Sequence, residues 1–124
     1  MIRFAVPLEP CLDDGRITLL LNLGDQPDPA FLVDCIQTFE DEFALRQPRL
    51  DQAASTGDRE ALRQQVHFLA GSGANLGLAL LARLCRHYEQ ALLEHESVDP
   101  AEVASSVQAA VALSLDTLKK RLKT

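Results

Sequence analysis

Apolar residues in this chain recur at intervals of three and four, and no segment alternates apolar with polar residues over a strand's length. Four such stripes can be traced: Leu32, Ile36, Phe39 and Phe43; Leu62, Val66, Leu69, Gly73 and Leu76; Leu81, Leu84 with Cys85, Tyr88 and Leu92; and Val103, Val107, Val111 and Leu118. Each covers one side of a helix and leaves the other side polar, so no helix can be stable unless its stripe is covered by the others. Short connections make neighbouring helices antiparallel. The pattern predicts an all-α chain: an antiparallel up-down four-helix bundle, with one short extra helix at the N-terminal side.

Start and stop signals divide the chain. Residues 1–11 hold Pro7 and Pro10 and no lasting period, and read as an extended leader lying on the domain. Asp13 and Asp14 can cap a short helix to about Asn22, with Ile17, Leu20 and Leu21 inward. The turn Gly24-Asp25-Gln26-Pro27 precedes Asp28-Pro29, an N-cap followed by proline where its missing N–H does no harm. That helix leaves Asp34, Glu40, Asp41 and Arg46 to water and is expected to kink or break at Pro48, then to resume through Leu50, Ala53 and Ala54 to Gly57. Asp58 caps the next helix, with Glu60 in its first turn, and Gly77 ends it. The following helix is read over 78–96, with Arg83, Arg86 and Gln90 opposite its apolar stripe. Asp99-Pro100-Ala101-Glu102 starts the last, which runs to about Leu122 with Lys119, Lys120 and Arg121 at its C-terminal end, where cations are favoured.

At 124 residues the chain is read as one domain, 1–124, long enough for a single core. A net charge of −6 argues against nucleic acid and against anionic membranes as partners. Cys11, Cys35 and Cys85 are odd in number and far apart, and read as buried thiols in a reducing compartment, hence the cytoplasm. Neither a secretory leader nor an 18-residue apolar span is visible.

His67 is off the stripe of its own helix. At about 100° per residue it lies roughly 140° from the stripe's centre, beside Gln64, Gly71 and Ala74 and near Ala70. An exposed imidazole among such small side chains is open to another surface. Glycine inside a helix costs about 0.5–1 kcal/mol relative to alanine, so Gly71 and Gly73 ask for a reason. Gly71, one turn beyond His67, would let a partner approach the ring; Gly73, on the stripe, would let a neighbouring helix approach.

These residues carry a resemblance. His67-Phe68-Leu69-Ala70-Gly71-Ser72, then Leu76-Gly77, then Leu84-Cys85 and Glu89, resemble the signature of histidine-containing phosphotransfer (HPt) domains of multistep two-component signalling. The family pattern reads roughly His-x-Leu-Lys-Gly-Ser, a Leu-Gly pair, then a Cys and a Glu or Gln on the following helix. The similarity is densest over 58–89. It departs at Ala70, where the family usually has a lysine that offsets the phosphate's charge.

The resemblance implies a phosphoryl carrier, not a kinase: His67 as phosphoacceptor, with Glu89 holding its Nδ1–H. The docking face would be Gln64, Phe68, Ala70, Gly71 and Ala74. The implied partners are receiver domains of response regulators or hybrid histidine kinases, with Mg²⁺ on the receiver and no cofactor on this chain, which is read as a monomer. Glu89 falls about 80° from the centre of its own stripe, an edge position compatible with that role. Cys85 reads as core. No phosphate-binding glycine loop or kinase motif is present. A di-iron bundle would need Glu-x-x-His motifs, and the chain has none, nor a close pair among His67, His87 and His95. The alternative reading is a degenerate adaptor that docks receivers without accepting phosphate.

Overall fold

The computed structural model describes residues 4–24 and 26–123. It contains five helices and, among the described residues, no strand: α1 (Asp14–Leu21), α2 (Pro29–Thr56), α3 (Arg59–Leu76), α4 (Ala79–Leu93) and α5 (Pro100–Leu122). Helices α2 to α5 pack as a ring, α2 on α3, α3 on α4, α4 on α5 and α5 back on α2, while α1 lies across α2 and α3. This is the up-down bundle with an extra N-terminal helix.

Four helices begin on an aspartate whose side chain accepts a first-turn N–H. Asp13 accepts from Arg16 at 3.1 Å, Asp28 from Ala30 at 2.9 Å, Asp58 from Ala61 at 3.0 Å and Asp99 from Ala101 at 3.0 Å. The leader supplies what α4 lacks. Leu78, before α4, makes no side-chain cap, and the Leu80 N–H donates instead to the Cys11 carbonyl at 3.0 Å. Asp13 N–H donates to the Gly77 carbonyl at 2.8 Å, and Arg83 donates to the carbonyls of Pro7 and Pro10 at 2.6 and 2.9 Å. The extended leader is thereby fixed to the α3–α4 corner; the part of that reading on residues 1–3, like the turn residue Asp25, falls outside the described residues. At the same corner Gly77 closes α3 at φ +82°, where a side chain would be strained and a Cβ would stand 2.8 Å from Ile17 Cγ1.

The core is mostly leucine and valine, with Leu32, Leu50, Leu62, Val66, Leu69, Leu81, Leu84, Val103, Val107 and Leu118 fully buried. Gly73 marks the close approach of α3 to α4, since a Cβ there would lie 3.2 Å from Leu81 Cδ2 and 3.6 Å from the Ala82 nitrogen.

Four expectations are corrected. Helix α2 does not break at Pro48 but continues from Pro29 to Thr56. Pro48 is on the exposed side, and so is Ala44, whose carbonyl loses its partner there and can be hydrated instead. Helix α4 ends at Leu93, short of 96, because the backbone turns left-handed at His95 with φ 57°. Cys35 is half-buried, not buried: it lies at the edge of α2, beside an open groove shared with α1 and α3, while Cys11 and Cys85 are buried. Glu40 and Arg46, read as facing water, are half-buried; Glu40 pairs with Lys119 at 3.0 Å.

Candidate functional site

Helices α3 and α4 run antiparallel through a two-residue turn, Gly77 and Leu78, so residues equally far from that turn face one another. His67, ten residues before Gly77, and Glu89, eleven after Leu78, are close to such a pair. The His67 Nδ1 lies 2.6 Å from Glu89 Oε2, while the imidazole side chain is 68% exposed and the carboxylate 18% exposed. An ionised carboxylate can only accept, so Nδ1 carries the proton and donates it. In the neutral ring this leaves the Nε2 lone pair on the exposed side.

The carboxylate has a second partner. Arg63, one turn before His67, donates from Nη1 to the same Glu89 Oε2 at 3.5 Å, and it grips Glu60 with Nε at 2.9 Å and Nη2 at 2.6 Å. Hydrogen bonding to Glu60 raises the pKa of Arg63, and the same bond lowers that of Glu60. Gln64 also reaches Glu60 at 3.5 Å.

The expected docking residues divide. Gln64 and Gly71 are exposed, and a Cβ built on Gly71 meets nothing within 4 Å. Ala74 and Phe68 are half-buried, and Arg46 lies over the Phe68 ring, 3.1 Å from its centroid, while donating to the buried Gln65 at 3.4 Å. Ala70 is not part of an exposed face: only 4% of it is accessible, and it belongs to the core. Three residues before Gly73, it turns toward the side that meets α4, and a methyl group there is covered.

Beyond Phe68 a shallow, largely apolar groove runs between α1, α2 and α3, past Leu20, Phe31, Cys35, Ser72 and Leu76. Cys85 is buried beneath Glu89, and burial first, then the negative charge of Glu89, push its thiol pKa up to about 12. It is therefore a protonated core residue at neutral pH, not a nucleophile. His87 and His95 are exposed and stand apart from His67 on or just beyond α4.

Arg63, Arg46 and the groove were not singled out from sequence. Arg63 carried a signal, since it stands three residues after Glu60 and four before His67, the two spacings that bring helix side chains together. The contacts of Arg46 join residues from two helices and have no local signature. Among the described residues no cluster of three or more His, Cys, Asp or Glu could hold a metal ion, and no helix is long and apolar enough to cross a membrane.

A family model described as the Hpt domain matches residues 34–121, which covers α3 and α4 entirely and most of α2 and α5. No curated protein and no solved structure gives a match.

Proposed function

The chain belongs to the Hpt domain family, whose members carry phosphoryl groups in two-component signalling, and on that premise we propose that His67 is the phosphoacceptor. The observation that carries the assignment is the 2.6 Å contact from Nδ1 to Glu89 on a ring that is 68% exposed. Glu89 fixes the tautomer, and Nε2 is left to attack.

In the forward step Nε2 forms a bond to phosphorus as the bond from phosphorus to an aspartate oxygen of a receiver domain breaks. The electron pair of that bond leaves on the aspartate carboxylate. The proton stays on Nδ1, so the ring becomes cationic, and the charge of Glu89 offsets it. The reverse step returns the phosphoryl group to an aspartate. Mg²⁺ on the receiver supplies charge neutralisation for the transferring group. Reaction in both directions makes this chain a carrier, acting as a single monomeric domain in the cytoplasm between receiver domains of response regulators or hybrid histidine kinases.

Gly71 gives the partner room beside the ring, with Gln64, Phe68 and Ala74 around it. Ala70 is outside that face, so the absence of a lysine at this position leaves the access to His67 unchanged. The hydrogen-bonded, accessible ring supports the carrier over the adaptor that docks without accepting phosphate. The test is incubation with a phosphorylated receiver domain: label on this chain that is labile in acid and stable in alkali supports the carrier. Stable binding without such label would support the adaptor.

A further inference from the structure

Arg46 crosses from α2 to α3 at the edge of the face that carries His67. Its guanidinium lies over the Phe68 ring, 3.1 Å from the centroid, and its Nη1 donates to the Gln65 side chain at 3.4 Å. Glu42 stands four residues earlier on α2, a spacing at which a carboxylate and an arginine can pair, yet the guanidinium turns to α3 instead. Among the described residues Arg46 forms no ion pair. A half-buried cation is thus held flat on an aromatic ring with most of its N–H donors unused.

Resting on the receiver-docking reading above, we infer that Arg46 is a docking residue whose guanidinium binds a carboxylate on the receiver domain, beside the aspartate that exchanges the phosphoryl group. The partner's chemistry supports an acidic contact. A receiver that holds Mg²⁺ next to its aspartate does so with oxygen ligands, carboxylates among them. That surface meets a chain whose own net charge is −6, so a local cation offsets the repulsion where the two close. Stacking on Phe68 fixes the plane of the guanidinium before the partner docks, which lowers the cost of ordering a long side chain at the interface.

Arg46 is placed to be covered when His67 reacts. An interface of standard size takes about 800 Å² from each partner, a patch about 16 Å in radius. Phe68 follows His67 in the chain and Arg46 rests on its ring, so a receiver centred on the imidazole reaches the guanidinium. Phe68 is turned about 100° from His67 around α3, which puts the cation beside the reacting ring and not at Nε2. Its partner is therefore a carboxylate of the receiver's surface, not the phosphoryl group. Arg63 is not free to serve the same end, because Glu60 and Glu89 already hold it.

The test uses the full chain and a receiver domain charged with acetyl phosphate. Binding of the unphosphorylated receiver and single-turnover transfer from the phosphorylated one are measured at low and high salt, with thermal melts to confirm that each variant is folded. Arg46→Gln is expected to weaken binding and raise the half-saturating receiver concentration by roughly two- to fivefold at low salt, with a flatter salt dependence, while the plateau transfer rate holds. Arg46→Lys, which keeps the charge but not the planar stack, is expected to keep the salt dependence and lose part of the affinity. Unchanged binding, or an equal loss in both variants that salt does not alter, would reduce Arg46 to a brace between α2 and α3 and overturn the inference. A loss confined to the phosphorylated receiver, or a fall in the plateau rate alone, would assign Arg46 to the phosphoryl group and overturn it as well. Binding that depends on Arg46 with no label on the wild type would remove the carrier reading and support this inference, whereas a wild type that neither binds nor takes label removes both.

Discussion

Gly71 and Gly73 are two residues apart on one helix, and substitutions at them are expected to fail in opposite ways. At Gly71 the added side chain has room, with nothing within 4 Å of a Cβ. Glutamine is also the better helix former by about 0.5 kcal/mol, so Gly71→Gln is expected to melt at or slightly above wild type. Its side chain would project beside His67, across the partner's approach. Displacing reacting atoms by about 1 Å can slow a reaction by up to 10²-fold, so transfer from a phosphorylated receiver is expected to fall by at least about tenfold. At Gly73 the Cβ would lie 3.2 Å from Leu81 Cδ2 and 3.4 Å from its Cγ, and Leu81 is fully buried. Overpacking of about 1–3 kcal/mol against a helix gain of about 0.5–1 kcal/mol leaves Gly73→Ala less stable by about 0–2.5 kcal/mol. The folded fraction is expected to transfer normally. Thermal melts and single-turnover transfer on both variants form the assay. Normal transfer by a folded Gly71→Gln protein would show that this face is not the dock, and equal effects of the two substitutions on transfer would refute the division of roles.

Glu89→Ala is expected to slow transfer while changing stability by no more than about 1 kcal/mol, since it removes partly exposed ion pairs; unchanged rates would remove its orienting role. Gly77→Ala is expected to lower the denaturant midpoint by the equivalent of about 2–4 kcal/mol, combining left-handed strain with overlap on Ile17; a neutral effect would contradict the corner geometry. In the native protein a thiol reagent is expected to modify half-buried Cys35 and to reach Cys85 only on unfolding; rapid native labelling of Cys85 would refute its burial. Burial raises the Cys85 pKa from its ordinary 9.0 to about 12, so the unfolded thiol ionises first, and this contribution to stability is full below pH 9 and lost as pH rises toward 12. Unfolding titrations of wild type and Cys85→Ala would measure it, and identical alkaline slopes would contradict it.

Much of the fold is legible because its signals are local. Asp28-Pro29, Asp58 and Asp99-Pro100 cap helices where the sequence places them, and Gly57 and Gly77 end helices in left-handed conformations. Pro48 misleads because a proline's effect depends on whether the freed carbonyl faces water or the core, and this is settled only by packing. Ala70 misleads for a related reason: its angle on the helix puts it near His67, but the closeness of α4, permitted by Gly73, covers it. The placement of Glu89 at a stripe edge fits its contact with His67 because antiparallel register follows from a short turn. The link from Arg63 to that contact requires the α3–α4 separation, which no spacing along the chain contains.

The central claim is that His67 alone accepts the phosphoryl group, and His67→Gln tests it most directly. The side chain is exposed and makes no cap or core contact, so the substitution is expected to stay within about 0.5 kcal/mol of wild type, which a thermal melt checks. Wild type and variant are mixed with the same phosphorylated receiver domain and label on each chain is followed. The account expects acid-labile label on wild type and none on folded His67→Gln; full labelling of the variant would contradict it.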